Sequence, residues 1–143
     1  MKSKVIADQP RSFLLVFARG DEIAKTLVAF AEREKISGAR FTAIGACERA
    51  TIKYWNGDES AWEQIEVDER VEVIALNGSI GRGEDGKPRI HAHVAFGKRD
   101  GSAVGGHFEE GRVNPTLELF LDVLREPIQR KKDERTGLPL IAL

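Results

Sequence analysis

All three histidines of the chain fall between Ile90 and Phe108. His91 and His93 form a His-x-His pair inside the period-two run Arg89 to Gly97, and residues i and i+2 of a strand project from one face. His107 follows His93 by fourteen residues, past the turn signal Arg99-Asp100-Gly101 and directly after Gly105-Gly106. A hairpin of that length returns His107 alongside the outgoing strand, so the three imidazoles can converge. Imidazole nitrogens bind Zn²⁺ at about 2.0–2.1 Å, and three protein ligands with a fourth position open is the catalytic type of zinc site. Fe²⁺, Mn²⁺ and Ni²⁺ accept the same ligands, so spacing leaves the metal open. The competing reading is a pair of half-buried strand histidines, with His107 hydrogen-bonding in a loop. His-x-His is short and recurs by chance; the clustering of every histidine in one hairpin favours a metal.

Carboxylates lie close by. Glu109, Glu110 and Glu118 are candidates for a fourth ligand, a hydrogen-bond partner to a ligand, or a general base. Their alternative is solvated charge, which is the better reading for Glu110. Glu118 lies within the apolar strand pattern Thr116-Leu117-Glu118-Leu119-Phe120, where alternation puts it on the side of Thr116 and Phe120, expected to be inward. Arg89 and Arg112 flank the hairpin and could hold an anionic group through bidentate contacts, or make surface ion pairs. Gly105-Gly106 permits positive φ or a close backbone approach beside His107, and a β-bulge would need the same.

Two other motifs lead elsewhere. Gly81-Arg82-Gly83-Glu84-Asp85-Gly86 matches G-x-G-x-x-G, but a dinucleotide fingerprint must open a helix, and Lys87-Pro88 and the His-Ala-His strand follow instead. A long hairpin loop is the simpler reading. No serine stands in a Gly-x-Ser-x-Gly context, which removes support for serine hydrolysis. Cys47 reads as a buried, inert thiol, and a single cysteine excludes an internal disulfide and fits a reducing compartment.

The elements that must position these residues follow from periodicity. Ser12 to Ala18 is a short apolar run suited to a strand buried on both faces. Ile23, Leu27, Phe30 and Ala31 recur at helical spacing, with Asp21 as N-cap and Ser37-Gly38 as the stop, giving one helix of about 15 residues. Strand patterns then occupy Arg40 to Ala46, Thr51 to Trp55, Trp62 to Val67, Val71 to Ile80, Arg89 to Gly97 and Thr116 to Val123. Asn56-Gly57-Asp58 and Asp85-Gly86-Lys87-Pro88 mark turns between them. Strand, helix, strand implies one right-handed parallel crossover, and the later hairpins pair antiparallel. The fold class is α+β, with one sheet and one principal helix packed on it. Gln129 to Arg135 is a charge run that reads as solvated surface. The apolar tail Leu138, Leu140, Ile141 and Leu143 either adds an edge strand or docks on a neighbouring subunit.

With 143 residues, 41% apolar and 31% charged, the chain makes one domain, residues 1–143, with a core. A net charge of −1 argues against a surface that neutralises phosphates. No apolar run approaches the roughly 20 residues that span a bilayer, and the N-terminus lacks a signal-like segment. A cytoplasmic protein without membrane contact is expected.

Gly78-Ser79-Ile80-Gly81, Ile90-His91-Ala92-His93-Val94, Val104-Gly105-Gly106-His107-Phe108 and Thr116-Leu117-Glu118 together resemble the PPC domain, the domain conserved in plants and prokaryotes. Phe13-Leu14-Leu15, Gly20-Asp21-Glu22-Ile23 and Ala43-Ile44-Gly45-Ala46 extend the resemblance over about Arg11 to Leu140. It implies a mostly antiparallel sheet of about seven strands with one main flanking helix, assembled as a homotrimer. It also implies a zinc site on His91, His93 and His107, and a fold shared with acetolactate decarboxylase. In plants the domain is joined to AT-hooks, and prokaryotic members carry a DNA-binding label by association. This chain has no Arg-Gly-Arg-Pro hook, because Gly81-Arg82-Gly83-Glu84 replaces the proline with an acid.

Three functions follow as expectations. The first is a homotrimeric metal-binding module, tied to DNA only by family association. The second is a zinc-dependent hydrolase or decarboxylase acting on a small carbonyl or ester substrate. In it Glu118 or Glu109 moves protons and Arg89 or Arg112 orients an acid group. The third is direct DNA binding, which the charge balance makes the weakest.

Overall fold

The computed structural model describes residues 1–8, 11–57 and 59–143. In chain order the elements are β1 (Lys2–Asp8), β2 (Arg11–Ala18), α1 (Ile23–Arg33), β3 (Ala39–Asn56), β4 (Ala61–Val67), β5 (Val71–Arg82), β6 (Pro88–Gly97), β7 (Ala103–Val123), β8 (Gln129–Lys132) and β9 (Pro139–Ala142). Among the described residues there are nine strands in one sheet, ordered β1-β2-β7-β3-β5-β8-β9, with β4 on β3 and β6 joining β5 to β7. Every pairing is antiparallel except a single β5–β8 contact, Arg82 with Gln129. The α+β class with one mostly antiparallel sheet and one flanking helix therefore holds, with two strands more than expected.

β2 and β3 each run antiparallel to β7, so they are parallel to each other, and α1 makes the crossover between them. β6 pairs with β5 along one edge and with β7 along the other, while β3 pairs with both β5 and β7. These four strands close into a ring, which leaves the histidine hairpin no free edge at its base.

The helix buries the stripe its spacing predicts: Ile23, Leu27, Phe30 and Ala31 are all buried. They meet the inward faces of β2 and β7, including Phe13, Leu15, Phe17, Leu117 and Leu119. Phe30 stacks edge-on against Phe13 with centroids 5.0 Å apart. The helix ends differ from expectation. It spans 11 residues, and its N-cap is Glu22, whose side chain makes no cap bond. Asp21 instead accepts from its own turn, Ala18 N–H at 2.9 Å, and pairs with the N-terminal amine at 2.7 Å. The free amides of the first turn are taken by Glu110 on β7, which accepts from Ala24 N–H at 2.9 Å and Lys25 N–H at 3.3 Å. Glu110 is thus a long-range helix cap and not solvated charge. At the other end Lys35 adopts φ 54° and stops the helix before Ser37-Gly38.

Other local expectations are also corrected. β2 is buried on one face, at Phe13, Leu15 and Phe17, while Leu14 and Val16 are only half-buried. The two strands read over 40–46 and 51–55 are one 18-residue strand, β3, whose pairing with β7 shifts register around Gly45 and Cys47. Each bulge inserts a residue and breaks the period-two signal that sequence reading relies on. At Gly45, with φ +154°, a Cβ would lie 2.5 Å from Thr116 O and 2.5 Å from Leu117 Cα, so only glycine fits. The charge run folds as β8, with Arg130 buried, and the apolar tail forms the edge strand β9 on it. Of the turn at Asn56-Gly57-Asp58, Asp58 lies outside the described residues. Gly81 to Gly86 forms the β5–β6 hairpin, closed by Gly83 N–H to Lys87 O at 3.0 Å, and no helix follows it. Cys47 is buried, and burial followed by the Glu110 and Glu22 charges pushes its thiol up to about 12.

Candidate metal centre

His91 and His93 stand on one face of β6, and His93 is the direct register partner of His107 across the β6–β7 pairing. The Arg-Asp-Gly turn that reverses the chain is closed by Lys98 N–H to Ser102 O at 2.8 Å. Of the two uses expected for Gly105-Gly106, close approach is the one realised. A Cβ on Gly105 would meet Val94 O at 2.6 Å, and one on Gly106 would meet Lys53 O at 2.9 Å. The peptides on either side of β7 therefore press in just before His107. The result is that one ring nitrogen from each of His91, His93 and His107 lies within 4.8 Å of the others.

The local electrostatics disfavour protonation of His91 and His107. Burial lowers the pKa of His91, with the Arg130 and His93 charges acting in the same direction. Burial, then His91 and His93, push His107 down to about 4; Lys53 adds to this and Glu109 opposes it. A neutral imidazole presents a lone pair, which is what a cation needs. The Nδ1 atom of His107 is buried without a hydrogen-bond partner. Such an orphan is costly in an empty interior and is relieved by a bound ion or water. Three converging imidazoles, one with an orphaned nitrogen, fit a divalent transition metal. Trp62 of β4 covers the His107 ring, with centroids 4.6 Å apart.

His91 and His107 open into a cleft of ≈ 250 Å³. Two of the other predicted residues share it. Glu109, two positions from His107 on the same face of β7, lines the cleft and pairs with Lys53 at 2.8 Å. Arg89 lines it too and pairs with Asp85 at 2.7 Å. Arg112 does not reach the histidines; it pairs with Glu48 at 3.0 Å in a separate cleft beside Glu22 and Arg49. Glu118 is also elsewhere, and the inward orientation expected for it is wrong. It is exposed, next to Ile44 and Ile74, because the buried face of this part of β7 carries Leu117, Leu119 and Leu121. Sequence reasoning missed Trp62, Lys53, Arg130 and the contribution of Leu138 and Leu140 to the cleft. The apolar tail was the one available signal, since those leucines needed something to cover.

A closed α+β sheet carrying a His-x-His strand and a third histidine on its hairpin partner defines a class of histidine-cluster proteins. Within it, the model of the Plants and Prokaryotes Conserved (PCC) domain matches residues 6–125, and the chain belongs to that family. Among solved structures it is similar to a plant- and prokaryote-conserved (PPC) protein of Pyrococcus horikoshii, at 30% identity and TM-score 0.86, covering 93% of this chain and 92% of that one. A metal-containing protein from Archaeoglobus fulgidus is likewise 30% identical, with TM-score 0.85 over 99% and 97% of the two chains. A "putative DNA-binding protein" of Bacteroides thetaiotaomicron has TM-score 0.92 at 25% identity, over 99% and 96%. The α-acetolactate decarboxylase of Bacillus subtilis shares the fold alone, with 10% identity and TM-score 0.57 over 87% of this chain and 57% of that one. No curated protein sequence matches the chain. No helix among the described residues is long and apolar enough to cross a membrane.

Proposed function

We propose that this protein is a homotrimeric metal-binding module in which His91, His93 and His107 hold a divalent transition metal, zinc first. The convergence of three ring nitrogens within 4.8 Å carries the reading. The similarity to an archaeal metal-containing protein supports it. Elemental analysis of purified protein tests it: one equivalent of zinc or a related metal per chain is expected, falling to background in His91→Ala and His107→Ala. Wild-type protein that stays empty after incubation with zinc would overturn it.

The trimer is supported by the outer face of the sheet, where Ile44, Ile74 and Phe120 are 60%, 55% and 48% exposed around Glu118. A surface of that kind is costly in water unless another subunit covers it. DNA binding draws support only from what similar proteins are named, and a net charge of −1 opposes it.

The cleft favours a second reading, a zinc-dependent hydrolase or decarboxylase of a small carbonyl or ester compound. The metal, when bound, supplies a polarised oxygen or an acidified water at the open position. Glu109, on the same face as His107, would accept or return the proton, and Arg89 at the rim would orient an anionic group. Turnover by zinc-loaded protein that disappears in Glu109→Gln, with metal content unchanged, is the expected result. No turnover of any small ester or 2-hydroxy-3-oxo acid would sink this reading for those substrates.

A further inference from the structure

Arg130 is the one buried charged residue among those described, at 4% exposure. Its two terminal nitrogens donate to neutral acceptors, Pro139 O at 3.2 Å and Ser79 Oγ at 2.9 Å, and its Nε–H has no partner at all. The other two cations of the cleft are matched by acids, Lys53 by Glu109 and Arg89 by Asp85. Arg130 is matched by none among the described residues. A buried cation without a counter-ion is costly, and a fold tolerates that most readily where a ligand brings the missing charge. Arg130 lines the cleft shared with His91 and His107, where an apolar stretch of Trp62, Ile90, Leu138 and Leu140 lies beside the ion-paired Lys53, Glu109 and Arg89. One end of the cavity therefore calls for negative charge and the other for hydrocarbon.

We propose that this cleft binds a small carboxylic acid, its carboxylate facing the guanidinium of Arg130 and its short apolar body lying against Trp62 and Leu140. A phosphate or sulfate would satisfy Arg130 but leave the apolar wall bare, so a monocarboxylate fits better. As the ligand of the proposed metal centre, the acid rests on that reading for its role but not for its affinity, which comes from Arg130.

The test is a titration of zinc-loaded and metal-stripped protein with sodium butanoate at constant ionic strength, against butanamide as the neutral counterpart. The ¹⁵N–¹H resonance of Arg130 Nε and the tryptophan fluorescence report binding in the unmutated protein. Butanoate is expected to move the Arg130 resonance in both forms and to bind about tenfold or more tightly than butanamide, as a charge-assisted hydrogen bond requires. Arg130→Gln is expected to lose that preference, and Arg130→Lys, which keeps the charge and favours folding, to retain part of it. An Arg130 resonance unmoved at about 50 mM butanoate, or equal binding of butanamide, would overturn the proposal. A resonance indifferent to butanoate because another copy already supplies a carboxylate would do so as well. Zinc uptake without butanoate binding leaves the metal centre standing and removes the acid site; butanoate binding without zinc uptake does the reverse.

Discussion

His93 and His107 are opposite each other in the β6–β7 pairing, with ring centroids 5.6 Å apart and planes at 86°. Directly paired residues on one sheet face hold their Cβ atoms about 4.5–5.5 Å apart, so the register itself brings the two rings together. His91, two residues along the same face, completes the group with centroids 5.4 and 5.2 Å from the other two. The donor set is a property of strand pairing and needs no special loop.

Removing a donor should therefore empty the site and leave the fold. His93→Ala is expected to reduce zinc affinity by more than the roughly 10–100-fold seen for partners one step removed from a metal. Competition with a chromophoric chelator measures it, and circular dichroism checks that the sheet survives. Trp62, stacked on His107, supplies a second readout: Cu²⁺ should quench its emission in the wild type and much less in His107→Ala.

Acid should weaken the metal-free protein in a defined window. An unfolded histidine titrates near 6.5, whereas His107 in the fold is pushed down to about 4 and His91 is lowered in the same direction. Between about 6.5 and 4 the unfolded chain binds protons that the native chain refuses, so stability falls as pH drops through that range. It should be flat, as far as these groups go, above about 7. Urea midpoints across pH 4–8 give the slope, and His107→Gln should flatten it.

Glu110→Ala should destabilise the protein by about 0.5–2 kcal/mol, the usual cost of losing a helix cap. Its carboxylate serves two amides of the first turn of α1 and also Gly111 N–H at 2.8 Å. Glu110→Gln should recover part of the loss, because the amide oxygen still accepts. Equal stability of all three proteins in urea would contradict the assignment.

Charge on the outer face should break the proposed trimer without touching the histidines. Ile44→Glu with Ile74→Glu is expected to convert a trimer to monomers by light scattering, while zinc content per chain stays the same. A wild type that is already monomeric at micromolar concentration would remove the trimer.

The helix stripe, β2 and the histidine hairpin were legible because each rests on a local signal: 3.6 or 2.0 periodicity and a turn between runs. What escaped depends on partners distant in sequence. Glu110 looks like any surface acid until β7 is laid against the start of α1, 86 residues away. Glu118 alternates correctly with Thr116 and Phe120, but alternation alone does not say which of two faces is inward. Arg130 was hidden in a run of charges, and only the return of β9 encloses it. β3 reads as two strands in the sequence because its bulges interrupt the alternation that strand reading follows.

Because β3, β5, β6 and β7 close on one another, β7 has a neighbour along each edge at the histidine cluster. The backbone of His107 is flanked on both sides, by Lys53 on β3 and by His93 on β6. Its main chain is clamped like the back plate of a socket while its side chain is free to be exchanged. Replacing it with cysteine or aspartate would retune which ion the socket prefers, sulfur toward softer metals and oxygen toward harder ones, without moving the plate.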